Sequence, residues 1–175
     1  MTPPRQRLRQ GLRALFAFMQ PIDVALATRY LTTPALFTLF KQLRRSEQVH
    51  SLHVLRGVLA SGDTPPALAI AALLHDCGKI RYPTNTLQKT VGVLIRSLAP
   101  GLARRLREGN PANPLIRPLV VAYHHPAWSA TLLREAGAPA DAIWLAAHHQ
   151  EPAAQHIGHP LIEPLQRLQA ADEAN

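Results

Sequence analysis

Residues 69–80 read AIAALLHDCGKI, and this stretch decides the fold and the chemistry that the sequence predicts. The six apolar residues at its start are typical of a helix that is buried on all sides. That helix delivers His75 and Asp76 side by side, and Gly78 then turns the chain before Lys79. An imidazole nitrogen next to a carboxylate suits a borderline or hard divalent metal ion. We therefore expect a metal site at the end of a central helix, with Lys79 placed to meet an anionic group bound there.

The helical period of apolar residues dominates the rest of the chain, which predicts an all-α fold. Predicted helices span residues 5–19, 34–45, 47–61, 66–77, 88–98, 100–108, 115–123, 127–136, 139–148 and 161–173. Prolines separate several of them, and Pro126 is expected to divide the seventh from the eighth. No repeat or linker indicates a second folding unit. We expect a single domain, with an N-terminal helical extension at residues 1–45 packed on a metal-binding domain at residues 46–175.

The predicted helix at residues 5–19 is basic and amphipathic, with Leu8, Leu12, Leu15, Phe16 and Met19 on one face. We expect this face to cap the core while the arginines remain in solvent. An anionic membrane surface is the alternative partner for such a helix.

The composition fits one domain of 175 residues, 47% of them hydrophobic, with a formal net charge of +8. No apolar run approaches the length that a membrane span needs, and the first residues do not have the pattern of a signal peptide. Cys77 is the one cysteine, so we expect no disulfide and a location in the reducing cytoplasm. Basic residues are scattered and aromatic residues make up 5%, so we do not expect sequence-specific nucleic-acid binding. The sequence does not define the oligomeric state.

Four short segments carry a resemblance to a known family: HSLHV at 50–54, LLHDCGKI at 73–80, HH at 148–149 and AAD at 170–172. They resemble the HD-domain superfamily of metal-dependent phosphohydrolases, which implies a helical fold. The HD-GYP branch of cyclic-dinucleotide phosphodiesterases is most similar, through HDCGKIRYPTNTLQK at 75–89 and HPAWSATLL at 125–133. The chain departs from that branch in having Gln150 where the branch has Glu, and Gly158-His159-Pro160 in place of Gly-Tyr-Pro. The resemblance therefore implies metal binding more strongly than cyclic-dinucleotide cleavage.

The resemblance also implies a set of metal ligands for two divalent ions bridged by Asp76. The first ion is expected on His50, His75, Asp76 and Asp172, and the second on Asp76, His125, His148 and His149. Iron or manganese is expected, with Mg, Ni, Co or Zn as alternatives. Successive helical side chains diverge by about 100°, so His148 and His149 are expected to flank the two ions. The alternative is that one of them orients the other without contacting a metal.

The resemblance further implies which groups act on the substrate, a small phosphorylated or nucleotide molecule. Asp76 and Lys79 are the predicted catalytic residues, with Lys79 stabilising charge on the phosphoryl oxygens. Lys79, Lys89 and Arg81 are the predicted substrate-binding residues. These assignments predict a phosphohydrolase or phosphodiesterase that cleaves a nucleotide-like phosphoester. Two alternatives stay open: a regulatory module that binds metal and senses a nucleotide without turnover, and a di-iron oxygenase of the same superfamily.

Overall fold

The computed structural model of the chain describes residues 21–175, and the predicted helix at residues 5–19 lies outside them. This part of the chain forms nine α-helices and two 3-10 turns, Cys77–Ile80 and Ala153–His156, which lie between helices. The helices are α1 (Val24–Tyr30), α2 (Pro34–Gln42), α3 (Arg45–Ala60), α4 (Pro66–Leu74), α5 (Thr86–Leu98), α6 (Pro100–Leu106), α7 (Arg117–Glu135), α8 (Ala140–His148) and α9 (Ile162–Glu173). No strand occurs among residues 21–175. The predicted all-α, single-domain fold is therefore confirmed, whereas the division at residue 45 stays a prediction.

Helix α4 lies at the centre of the described core. Pro66 begins it at a position where the missing N–H costs no hydrogen bond. Seven of its nine residues, those from Leu68 to Leu74, are buried. Helices α1, α2, α3, α8 and α9 all pack against it, because a helix that is apolar on every face must be surrounded. The chain therefore reaches His75 in the interior of the protein.

Helices α3 and α9 cross closely at Gly57. A Cβ atom at this position would lie 3.0 Å from the Cβ of Ala171 on α9. The absence of a side chain at Gly57 lets the two helices approach, as is usual where small residues meet. This crossing brings α3, which carries His50, alongside the end of α9, which carries Asp172.

The predicted break at Pro126 is wrong, since α7 runs without interruption from Arg117 to Glu135. A proline inside a helix removes one hydrogen bond and costs about 3 kcal/mol. Here the 3-10 turn packs directly on the helix at that point: the Gly78 N–H donates to the Ser129 hydroxyl at 2.7 Å. A Cβ atom at Gly78 would lie 2.2 Å from the His125 carbonyl oxygen. These tertiary contacts offset the local cost and hold α7 continuous.

The part of the chain that the structure describes contains no helix with both the length and the apolar character of a membrane span.

Candidate metal centre

Six of the seven predicted ligands converge where five helices meet, and we call them the central cluster. Helix α3 supplies His50, and the end of α4 supplies His75 and Asp76. Helices α7 and α9 supply His125 and Asp172, and the end of α8 supplies His149.

The first half of the central cluster joins two carboxylates to two imidazoles. The Asp172 Oδ1 atom lies 2.9 Å from the His50 Nε2 atom and 3.7 Å from the His75 Nε2 atom. The Asp76 Oδ2 atom lies 3.5 Å from the His75 Nε2 atom and 3.9 Å from the His50 Nε2 atom. One oxygen of each carboxylate therefore faces the same two Nε2 atoms.

The second half of the cluster uses the other oxygen of Asp76. The Asp76 Oδ1 atom lies 3.0 Å from the His125 Nε2 atom and 3.9 Å from the His149 Nε2 atom. The two Nε2 atoms are themselves 3.3 Å apart. Asp76 thus presents one oxygen to each half, which is the arrangement that a bridging carboxylate requires.

Backbone carbonyls fix the three most deeply buried imidazole rings. The Nδ1 atoms of His75, His125 and His149 lie 3.2, 2.9 and 2.8 Å from the carbonyl oxygens of Ala72, Val121 and Ala146, respectively. A ring that donates from Nδ1 keeps a free lone pair on Nε2, as metal-binding histidines do. The His75 Nε2 atom is buried and has no hydrogen-bond partner among the described residues. A divalent cation satisfies such an orphaned acceptor, so the donor set fits a metal ion.

The electrostatics of the cluster favour a positive ion. Burial opposes ionisation of Asp76, but Lys79 and His75 outweigh it and hold the Asp76 pKa well below its usual range. Burial likewise opposes ionisation of Asp172, but the hydrogen bond from His50 and the nearby charge of His75 hold its pKa below the usual range. Burial would lower the pKa of His75, yet the two carboxylates raise it to about 9. Asp76 is buried and Asp172 is partly buried, so a proton on His75 or a metal cation in its place would offset their negative charge.

Lys79 joins the central cluster at its edge. Its Nζ atom lies 2.5 Å from the Asp76 Oδ2 atom and 3.6 Å from the Glu47 Oε2 atom. Glu47, on α3, also pairs with the Nζ atom of Lys89. Arg81 lies exposed at the end of the 3-10 turn. Of the three predicted substrate-binding residues, Lys79 therefore contacts the cluster directly, and Lys89 is joined to it through Glu47.

The structure places His148 apart from the other predicted ligands. Its Nδ1 atom lies 2.8 Å from the Glu151 Oε2 atom, and the His156 Nε2 atom lies 2.9 Å from the same oxygen. We call these three residues the peripheral cluster. The ring of Trp144 packs against His148 with 4.6 Å between ring centroids. His148 and His149 therefore diverge as expected, but towards two different groups of side chains.

Gln169 on α9 connects the two clusters through the backbone. Its side-chain amide donates to the His149 carbonyl at 3.1 Å and to the Glu151 carbonyl at 2.6 Å. Gln169 precedes Asp172 by three residues, so both lie on one face of α9. This amide fixes the bend of the chain between the two clusters.

Sequence reasoning missed three residues that support the centre. Glu47 precedes His50 by one helical turn, and this spacing is a signal that it shares the face of the predicted ligand. Ser129 accepts the Gly78 N–H, and no local pattern indicates it. Gln169 lies in α9, and no local sequence pattern indicates its hydrogen bonds to the distant His149 and Glu151 carbonyls.

Comparison with known proteins supports the family resemblance. The family model described as "HD domain" matches residues 48–174. No curated protein and no solved structure matches the chain significantly. The match covers most of the chain, including all six residues of the central cluster, and the fold is all-helical, as such a domain requires. The chain belongs to the HD domain family.

Proposed function

We propose that the protein is a metal-dependent phosphohydrolase or phosphodiesterase that acts on a nucleotide-like phosphoester, as in the HD-GYP branch. The observation that carries the proposal is the buried Asp76 carboxylate, whose two oxygens face two separate groups of imidazole Nε2 atoms. Pairs of metal ions held about 3.5–4 Å apart are typical of enzymes that cleave phosphate esters. A lone metal site would not need two imidazole groups on opposite sides of one carboxylate.

His50, His75, Asp76 and Asp172 would hold one ion, and Asp76, His125 and His149 the other. A divalent cation supplies Lewis acidity towards phosphoryl oxygens and water. His148, which the sequence placed with the second ion, is left out of this proposal because its Nδ1 atom pairs with Glu151. Iron or manganese suits the mixture of imidazole and carboxylate ligands.

Lys79 would act on the substrate from the edge of the cluster. Its side chain is 28% exposed while that of Asp76 is 4% exposed, so Lys79 reaches from the buried ligands towards solvent. Its Nζ atom can turn from Asp76 to a phosphoryl oxygen and stabilise the charge that develops there. Glu47 faces the same Nζ atom at 3.6 Å and keeps the cation in this position.

A small pocket lies beside Lys79 at the edge of the central cluster. Arg44, Glu47, Lys79, Thr84 and Lys89 contribute to its lining. Three cations around one carboxylate give the pocket a net positive charge, which suits a phosphorylated molecule. Lys89 would contact a second phosphate or a base there, and Arg81 would do so from the end of the 3-10 turn.

The test measures product release and metal content together. The protein is loaded anaerobically with Fe²⁺ or Mn²⁺ and supplied with phosphomonoesters, linear dinucleotides and cyclic dinucleotides. We expect release of a phosphorylated product that needs no O₂, and two more metal equivalents than in Asp76→Ala. Strictly O₂-dependent turnover would support the oxygenase instead, and tight nucleotide binding without any product would support the sensor. Either result would overturn the proposal.

A further inference from the structure

We propose that the peripheral cluster of His148, Glu151 and His156 is a second binding site for a divalent transition-metal ion. This site lies outside the central cluster and does not share a ligand with it. Two imidazoles and one carboxylate suit Zn²⁺, Co²⁺, Ni²⁺ or Cu²⁺.

The ligand atoms already face one point. One carboxylate oxygen, Glu151 Oε2, lies 2.8 Å from the His148 Nδ1 atom and 2.9 Å from the His156 Nε2 atom. One ligand atom from each of the three residues lies within 4.8 Å of the others. In a neutral imidazole the proton can move to the other ring nitrogen, so each facing nitrogen can give up its hydrogen and keep the ring neutral. A cation can then take the place of the two N–H groups that now share one oxygen.

Hydrogen bonds to backbone groups hold this segment of the chain in place. The Glu151 N–H donates to the His148 carbonyl at 2.9 Å. Gln169 holds the Glu151 carbonyl from α9, and His156 ends the second 3-10 turn. The ligand positions are therefore organised before an ion arrives, which reduces the entropy that binding must overcome.

The indole ring of Trp144 forms one wall of the peripheral cluster. The ring of Trp144 lies 4.6 Å from that of His148 and 5.1 Å from that of His156, measured between centroids. The Glu151 side chain is 45% exposed, whereas that of His156 is 15% exposed. Three protein ligands with one side open to solvent leave room for water or an exogenous ligand on the ion.

The fluorescence of Trp144 can report metal binding at the peripheral cluster. The chain has two tryptophans, so Trp128→Phe leaves Trp144 as the single tryptophan. Co²⁺ bound at the peripheral cluster would lie next to this ring and quench its emission. We expect saturable quenching in Trp128→Phe, and the same quenching when Asp76→Ala is added to disable the central cluster.

Two substitutions in the Trp128→Phe protein test the ligands. His156→Ala removes one ring, and Glu151→Gln removes the charge while it keeps the shape and one acceptor. Each should weaken Co²⁺ binding at least about tenfold, since even residues that only orient ligands contribute that much. His124→Ala is the matched control. The His124 Nε2 atom also lies near a carboxylate, 3.6 Å from Glu108, but no third ligating residue joins them among residues 21–175. His124→Ala should leave the titration unchanged.

Two results would overturn the proposal. Quenching that is equal in Glu151→Gln and in its parent would show that the carboxylate does not hold the ion. Quenching that disappears with Asp76→Ala would assign the signal to the central cluster. If His156→Ala lowers the helical content, Glu151→Gln decides alone, since it preserves the packing.

Discussion

The central and peripheral clusters both combine imidazoles with carboxylates but fix their imidazoles differently. In the central cluster, three buried rings bond through Nδ1 to backbone carbonyls of their own helices and point Nε2 inward. In the peripheral cluster, both rings bond to one carboxylate oxygen at a partly exposed edge. The helix backbone thus orients three of the central imidazole rings, whereas a carboxylate side chain orients the two peripheral rings. We infer that the central cluster is built for tight, permanent ions and the peripheral cluster for exchangeable ones.

Removing Asp76 should separate the two clusters most completely. Asp76→Ala deletes the carboxylate that faces both halves of the central cluster. We therefore expect the variant to lose both central ions and its turnover to fall below detection. The measurements are metal content after dialysis and product release. The peripheral site should keep its Co²⁺ response. Retention of two central ions in Asp76→Ala would refute the bridging role.

Removing Lys79 should impair the central cluster without emptying it. Lys79→Ala deletes a cation that contacts Asp76 but ligates no metal, so we expect unchanged metal content and a fall in kcat of about 10²–10³. Steady-state kinetics with metal analysis measures both.

Lys89→Ala is the matched control for Lys79→Ala. Its Nζ atom pairs with Glu47 and does not reach Asp76, so we expect a raised KM with kcat nearly unchanged. Equal loss of kcat in the two variants would remove the distinction between a catalytic and a substrate-binding lysine.

Filling the space at Gly78 should disturb the central cluster through its support. A Cβ atom there would lie 2.2 Å from the His125 carbonyl and 2.7 Å from the Ser129 nitrogen. We expect Gly78→Ala to lower the free energy of unfolding by about 1–3 kcal/mol and to weaken central metal binding, with no change at the peripheral site. Thermal denaturation and metal titration measure these effects.

Gly101→Ala is the control for Gly78→Ala. A Cβ atom at Gly101 would meet no atom within 4 Å among the described residues. Since Gly101 lies inside α6, we expect a gain in stability of about 0.5–1 kcal/mol. A loss of stability as large as that of Gly78→Ala would show that the close contact at residue 78 is not the cause.

A last expected effect is the pH dependence of the metal-free protein. Burial lowers the pKa of His75, but Asp76 and Asp172 outweigh it and raise the value from 6.5 to about 9. A folded-state pKa above the unfolded value stabilises the protein below about pH 6.5, and this contribution is lost as pH rises to about 9. With a chelator present, we expect the Tm to fall across this window more than in His75→Gln. Identical profiles for the two proteins would contradict the proton on His75.

The central helix and the HD-domain resemblance made the core of the site predictable. The apolar run before His75 indicates a helix with no exposed face, and its end must then lie inside the protein. Within α8, the 100° between successive side chains predicts that His148 and His149 diverge. Which of the two faces Asp76 depends on how α8 packs against α4 and α7, and no local pattern encodes that packing.

The features that sequence reasoning missed depend on contacts between distant residues. The rule that proline ends a helix is local, but at Pro126 the contact with Gly78 outweighs it. The predicted helix at 66–77 ends earlier, at Leu74, because the chain tightens into the 3-10 turn that carries Gly78 to α7. The peripheral cluster joins the end of α8 to a short turn, whose geometry no helical period describes.

Gln169 makes metal binding and the integrity of α9 interdependent. The same helix supplies Asp172 to the central cluster and, through the Gln169 amide, anchors the carbonyls of His149 and Glu151. A displacement of α9 would therefore move a ligand of each half of the central cluster and one of the peripheral cluster together. We expect the ions of both clusters to be released in one cooperative step when this helix detaches, rather than site by site.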